Sequence, residues 1–411
     1  MNRIALWYTA VAPGILVAAT GVGAGDLLTA SFAGSAVGLA VLWAAPAGAV
    51  LKWAINEGIA RWQLATDTTL LEGWVARLGR PIQWVFLVYL LLWSFAVGGA
   101  LVSACGVAGN GFFIIGNPTT SKILWGIAHA IAGVVLVRLG GFRLFEKLMG
   151  VFIGLMFVTV MMTAVVSPAV ARPAVAAAGK AGWSYLDSVL AVLGGVGGTV
   201  TVLSYGYWIR EARREGDAGM RACRLDLAIG YTMTALFGMA MIVIGSRTDL
   251  SGKGAGVAIE LANQLAAAIG PVGFWLFLIG FWGAVFSSLL GVWQGVPYLF
   301  ADFLAIRRGA TAEERGAIDF DQTTGYRAYL YALAIVPLPL LWFEIKSVQL
   351  AYAVTGAFFM PVLAATLLIM NNRADWVGQR FRSRLVINAI LVVTLVFFCV
   401  VGGIQCYQTF S

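Results

Sequence analysis

The chain reads as a succession of apolar stretches of membrane-spanning length, joined by short connections that carry most of its arginines. A helix needs about 20 apolar residues to cross a bilayer. Eleven stretches qualify, at about 10–39, 40–62, 83–109, 121–139, 145–167, 185–210, 223–246, 268–300, 326–343, 347–370 and 384–407. Two of them are interrupted. Thr20-Gly-Val-Gly-Ala-Gly-Asp26 breaks the first, and Gly194-Gly-Val-Gly-Gly-Thr199 opens a break at 194–201 in the sixth. Glycine costs about 1 kcal/mol relative to alanine inside a helix, so both runs predict unwound backbone. At membrane depth such backbone is tolerated only where it is buried in protein or lines a wet cavity. A pair of breaks in corresponding positions of two halves marks the binding site of a transporter.

Each interrupted stretch opens a set of five. An odd number of spans per set inverts the second copy. The expected fold is an all-α polytopic membrane protein with 11 transmembrane helices in one transporter domain. A first repeat at about 10–167 and an inverted second repeat at about 185–370 are followed by an extra helix at about 384–407. Helices 1 and 6 are unwound at mid-membrane. The eighth stretch is long enough to leave the bilayer, and Pro337 and Pro339 predict a kink in the ninth. The connections near 168–184 and 247–267 are expected to carry short surface helices.

Composition agrees with the pattern. Of 411 residues, 60% are hydrophobic and only 11% charged, against about 25% charged in a soluble domain. The net charge of +8 is read as orientation-setting arginine rather than a nucleic-acid surface. Alternate connections collect Arg61, Arg77 and Arg80, then Arg138, Arg143 and Lys147, then Arg210, Arg213, Arg214, Arg221 and Arg224. Further on they collect Arg307, Arg308, Arg315 and Arg327, and finally Arg373, Arg380, Arg382 and Arg384. The other side holds only Lys122, Arg172, Lys180, Arg247, Lys253 and Lys346. This asymmetry predicts a cytoplasmic N-terminus and an outside C-terminus. No cleavable signal peptide is expected, since Asn2-Arg3 leads straight into the first span. A monomer in the lipid bilayer is expected. Cys105, Cys223, Cys399 and Cys406 have no metal or redox spacing, and the last two are expected to pack within the final span. A G-x-S-x-G elbow, a P-loop and an H-E-x-x-H are missing, so neither an enzyme nor an ATP-driven pump is expected, and no cofactor.

Asp26 is the main chemical candidate, because a carboxylate at the bilayer centre costs about 2.5–3.5 kcal/mol and should face a wet or cationic site. It reads as a cation ligand, the alternative being an acid paired with a helix end. Carbonyls freed at the breaks are hard oxygen donors suited to Mg2+, Ca2+ or Mn2+. Thr201, with Thr199 and Ser204, supplies the side-chain oxygens near the second break. It is a ligand or water contact on one reading and back-bonds to the helix on the other. Asp187 reads as a helix-start residue, and Glu57, Asp226, Asp302 and Glu344 as solvated or arginine-paired acids at span ends. His129, the sole histidine, reads as a core or lipid-side residue. Gln294, Gln349, Tyr352 and Thr355 either line a pore or bond between helices. In Tyr205-Gly-Tyr-Trp208, Tyr205 is a packing or gating residue beneath the site and a possible pore-lining one.

Several of these segments resemble the Nramp family of divalent-metal transporters. Ala12-Pro-Gly-Ile-Leu-Val-Ala18 is similar to that family's first-helix lead-in, and Gly38-Leu-Ala-Val-Leu-Trp43 follows in register. Arg138-Leu-Gly-Gly-Phe-Arg-Leu-Phe-Glu146 resembles its turn between helices 4 and 5. Gly283-Ala-Val-Phe-Ser-Ser288, with Gly291 and Gln294, resembles helix 8, and Val348-Gln349 with Pro361 resembles helix 10. The resemblance implies a LeuT-like fold, a divalent-ion substrate and a bacterial-type inner membrane. The departures are informative. Where the family has Asp-Pro-Gly-Asn, this chain has Gly23-Ala-Gly-Asp26; where it has Met-Pro-His, this chain has Thr201-Val-Leu203. A later family histidine aligns with Trp208, and Tyr89 to Asn110 lacks the acids of the family's proton route. In these respects the chain looks like the divergent Nramp-related magnesium transporters. Family ligands carried over by position are the side chains of Asp26 and Thr201 and the carbonyls of Thr20 and Gly198, with Gly23 supplying space for a hydrated ion. The expectation is inward Mg2+ and Mn2+ transport without proton coupling. The alternatives are a proton-coupled Mn2+ or Fe2+ transporter, an amino-acid or organic-cation symporter, and a non-transporting receptor.

Overall fold

A computed structural model describes residues 23, 25–166, 184–195, 197–251 and 254–410, with side chains throughout these except at 25–26, 140–150, 152–153, 211, 316 and 401–410. The described chain is helical. A π-helical turn, Gly25–Thr29, leads into α1 (Ala30–Val37), and a bend of 104° separates that arm from α2 (Ala44–Thr66). Next come α3 (Arg80–Phe112), α4 (Pro118–Val166), α5 (Tyr185–Gly195), α6 (Ser204–Glu211) and α7 (Gly216–Ser246). A short helix α8 (Val257–Ile269) precedes α9 (Pro271–Arg307) and α10 (Thr324–Ile335). The tail is α11 (Ile345–Ala357), α12 (Phe359–Asn372), α13 (Ala374–Phe381) and α14 (Leu385–Phe410). Among the described residues, six helices are long and apolar enough to cross a membrane, or up to seven counting the bent pair.

The helix α4 is assigned without interruption over 49 residues, where two stretches are expected from the sequence. A straight helix of that length would run about 74 Å, more than twice a bilayer core. Its contacts rule out a straight course. Lys122 bonds the Phe343 carbonyl at 2.8 Å, Arg138 bonds the Asp321 carbonyl at 2.9 Å, and Ala164 accepts from Arg247 at 2.9 Å. Asp321 lies among the arginine-rich connections, whereas Phe343 and Arg247 lie at the other ends of their helices. The run therefore meets the far side at Lys122 and Ala164 and the arginine-rich side at Arg138. The ninth stretch is disturbed at its prolines, as expected. α10 stops at Ile335, and Leu338–Trp342 continues as 3-10 helix, because Pro337 and Pro339 remove two backbone donors and crowd the preceding turn. The expected surface helix at 247–267 is α8, which buries Val257, Leu261 and Leu265 against α9 and so lies partly inside the bundle.

Packing places the interrupted elements at the centre. α1 packs on α5 and α7, α2 packs on α5, α6 and α7, and the Gly25–Thr29 turn touches α5, α7 and α11. α3, α4 and α9 form a second group around them. α1 and α7 cross so closely that a Cβ on Gly34 would stand 2.2 Å from the Ile242 carbonyl oxygen. On the arginine-rich side, Arg61 bonds the carbonyls of Phe381 and Arg382, and Arg380 pairs with Asp217. These contacts tie the ends of α2, α7 and α13 together. Cys399 is exposed on α14 instead of packed, because α14 docks on the protein along one face only.

Candidate functional site

The second break is described except at Val196. α5 ends at Gly195; Gly197 and Gly198 take φ of 78° and 76°, a region closed to most side-chain-bearing residues. The chain re-enters through a 3-10 turn, Val200–Leu203, and α6. Thr199 and Thr201 are both buried, and Thr199 Oγ1 has no hydrogen-bond partner among the described residues. α11 seals one side: a Cβ on Gly356 would stand 2.6 Å from Thr199 Cγ2, and one on Gly194 would stand 2.4 Å from the Ala353 carbonyl.

At the first break, Thr20 and the side chain of Asp26 lie outside the described residues. The Asp26 backbone sits in the π turn, against α5 and α11. Gly23 is buried, and its carbonyl accepts from the Leu27 amide at 2.9 Å. A Cβ at Gly23 would stand 2.0 Å from Ser288 Oγ on α9. The Ser288 hydroxyl thus fills the space that a side chain at position 23 would need.

One residue of the site was missed from the sequence. Lys52 on α2 is 1% exposed, and its Nζ donates to the Gly194 carbonyl at 3.0 Å. Next to it, Asn56 Nδ2 donates to the Tyr231 hydroxyl at 2.8 Å, and the Tyr231 ring stands against Gly197. A buried ammonium at the carbonyl end of α5 meets the negative pole of that helix. Lys52 was legible as a charge inside an apolar stretch, which is by default a functional residue.

Below the second break lies a cavity of about 370 Å³, whose walls include Ser204, Tyr207, Gln294, Asp302, Arg315 and Asp321. Ser204 follows Thr201 by one turn, so the cavity reaches toward the break from the arginine-rich side. Tyr207 donates to Asp302 at 2.5 Å, and Arg315 donates to Asp302 at 2.8 Å and pairs with Glu72. Burial first, then the neighbouring Asp319, push the Asp321 carboxyl above its ordinary range, with Arg138 pulling against them.

The remaining sequence candidates are distributed. Tyr205 is buried and donates to Asp226 at 2.7 Å, beside Arg214. Gln349 is buried, with Nε2 on the Ala100 carbonyl at 2.9 Å and Oε1 without a partner among the described residues. Thr355 donates to the Ala351 carbonyl and faces a separate, mostly apolar cleft with Tyr89, Phe95 and Phe358. Glu57, Asp226 and Asp302 are arginine-paired, as expected, and buried. Asp187 caps α5 through Ser184. His129 is a core residue, with Nδ1 on the Trp125 carbonyl and Nε2 accepting from Trp282. Among the described residues there is no group of three or more His, Cys, Asp or Glu side chains that could hold a metal.

A helical membrane architecture in which unwound backbone meets buried hydroxyls is that of a LeuT-type transporter fold. The sequence matches the Nramp family, described as natural resistance-associated macrophage protein-like, over residues 14–408. The chain belongs to that family. A manganese transporter of Eremococcus coleocola, in a mutant form, superposes with a TM-score of 0.75 at 16% identity, over 98% of this chain and 88% of that one. The same transporter in complex with an aromatic bis-isothiourea compound gives 0.73 at 15% identity, over 98% and 87%. MhsT in complex with L-phenylalanine gives 0.58 at 16% identity, over 94% and 97%. At these identities the likeness is one of fold. The comparison with curated proteins gives no match.

Proposed function

We propose that the protein imports Mg2+, with Mn2+ as a second ion, by alternating access, as a largely hydrated ion and without proton coupling. The observation that carries this reading is the chemistry of the second break. Its side chains are Thr199, Thr201 and Leu203, and Ser288 fills the space at Gly23. Hydroxyls, carbonyls and one carboxylate make a hard-oxygen set, with neither the thioether nor the imidazole that suits softer transition ions. Mg2+ keeps several waters and binds through one or two carboxylates, which Asp26 supplies. We further propose two inverted repeats, the arginine-rich face in the cytoplasm of a bacterial-type inner membrane, and a monomeric unit. Influx of a divalent ion then gains about 4.6 kcal/mol from a potential of 100 mV.

The second reading is a proton-coupled Mn2+ transporter, and only its choice of ion is favoured by the likeness to the Eremococcus coleocola manganese transporter. Uptake into proteoliposomes, with indicators for internal Mg2+ and internal pH, separates the two. Mg2+ influx with a constant internal pH is the expected result; stoichiometric acidification, or Mn2+ influx alone, sinks the first reading. Substituting Thr201→Met should move the Mn2+ to Mg2+ uptake ratio toward Mn2+ by about tenfold, the factor given by about 1.4 kcal/mol of ligand preference. An unchanged ratio would mean that residue 201 does not touch the ion or its water.

A further inference from the structure

A second cavity, of about 420 Å³, lies at the junction of α2, α7 and the α13–α14 connection. Six arginines line it: Arg61, Arg221, Arg224, Arg380, Arg382 and Arg384. The lining holds one carboxylate, Asp217, and Glu57 stands behind it, bonded to Arg61 and Arg224. Three of the guanidiniums are engaged. Arg61 is 3% exposed and bonds Glu57 and the carbonyls of Phe381 and Arg382. Arg224 bonds Glu57 at 2.9 Å, and Arg380 grips Asp217 through two donors. The guanidiniums of Arg221, Arg382 and Arg384 are exposed and make no hydrogen bond or ion pair among the described residues, although Arg221, after Arg380, also acts on the charge of Asp217. Ser383, between the last two, has a buried hydroxyl without a partner among the described residues.

Orientation-setting arginines need only lie on one side of a membrane; they have no reason to converge on a cavity. This cavity also stands at a polar–apolar boundary. Leu385 and Val386 directly follow Arg384 and are 85% and 68% exposed, so bare apolar surface begins where the guanidiniums end. On the preceding α13, the guanidiniums of Arg77 and Arg373 stand 5.4 and 5.0 Å from the centroid of the Trp376 ring, an amphipathic side chain of the kind that suits a polar–apolar boundary. Planar guanidinium forks match the oxygens of a phosphate better than any other anion-binding side chain.

We propose that this cavity binds a phosphate-bearing anion, seated on Arg221, Arg382 and Arg384. The phosphate is either the headgroup of an anionic phospholipid or a soluble phosphate. Arg61, already held in place, fixes the α13–α14 connection and so the position of Arg382.

The test uses the purified full chain in nanodiscs of mixed phosphatidylcholine and phosphatidylglycerol, with the lipid retained after release counted by native mass spectrometry. A second arm titrates inorganic phosphate into the detergent-solubilised protein by calorimetry. Saturable phosphate binding assigns a soluble ligand; preferential retention of phosphatidylglycerol without phosphate binding assigns the headgroup. In either case the combined substitution Arg221→Gln, Arg382→Gln and Arg384→Gln should weaken the binding by on the order of tenfold or more. The same loss of charge at Arg80, Arg213 and Arg308, outside the cavity, should leave it unchanged. If the triple variant does not fold, the single changes at exposed Arg382 and Arg384 carry the comparison. Equal weakening in cavity and control variants, or a wild type that shows neither lipid preference nor phosphate binding, overturns the proposal.

Discussion

Replacing Asp26 with alanine is expected to bring Mg2+ influx down to the level of protein-free liposomes, a loss on the order of 100-fold. Its backbone lies in the π turn that follows the first break and touches both α5 and α11. No other acid falls within residues 10–39, and none within the second break at 194–201. The oxygens brought together at the second break are hydroxyls and carbonyls, which coordinate a divalent ion without neutralising it. Removing the carboxylate leaves a doubly charged ion among uncharged oxygens, and about 2.7 kcal/mol of lost binding already accounts for a factor of 100. Asp26→Asn separates charge from shape. It keeps an acceptor of the same size and should be nearly as inactive as alanine, while Asp26→Glu should retain part of the flux. Influx above about a tenth of wild type in the asparagine variant would show that the charge is not what holds the ion, and would move the site elsewhere.

What could be read from the sequence, and what could not, follows from the range of the forces involved. The second break was legible because it depends on local backbone energetics. Gly197 and Gly198 adopt left-handed φ values that only such a glycine run allows at low cost. The acids at span ends were legible as arginine-paired, but not by partner. Glu72 and Arg315 are separated by 243 positions, and nothing local couples them. Pro337 and Pro339 announced a disturbance; whether it would be a kink or a stop depends on the packing of Leu340 and Leu341 against α3 and α4. Ser288 stood in a recognisable segment, yet its approach to Gly23 is a contact between elements far apart in the chain. Lys52 was overlooked for a different reason. A single charge hardly lowers the hydropathy of a 23-residue helix, and its partner is a main-chain carbonyl that no side-chain pattern advertises.

Arg315→Met should lower the thermal midpoint of the detergent-solubilised protein by on the order of 5 °C. Arg315 has a side chain 3% exposed and is the common partner of Asp302 and Glu72, themselves 3% and 10% exposed. Removing one member of a buried ion pair costs about 3–5 kcal/mol, because the charge left behind is uncompensated. Methionine roughly preserves the volume of the aliphatic stem, so the loss is mainly electrostatic. Glu72 keeps Arg210 at 3.2 Å, so the acid left without an ion-pair partner is Asp302, and Asp302→Asn in the same chain should therefore restore much of the midpoint. Additive losses would instead mean that packing is at stake. A midpoint within about 1 °C of wild type in the single variant would mean that the cluster is hydrated and weak. The network also has a mechanical side. Tyr207 and Arg210, both on α6, reach Asp302 and Glu72 at 2.5 and 3.2 Å, so the lower half of the broken helix is tied to α9 through the same acids. The cavity that approaches the break from the arginine-rich side runs between those two helices. Under the proposed alternating access, α6 and α9 would part and rejoin along this wall. The melting experiment repeated on Tyr207→Phe, which removes one tether and leaves the ion pairs intact, should give less than half the shift of Arg315→Met. In the uptake assay the same variant should change the rate of Mg2+ influx without changing the Mn2+ to Mg2+ ratio, since the tether acts on the motion of α6 and touches no ligand oxygen.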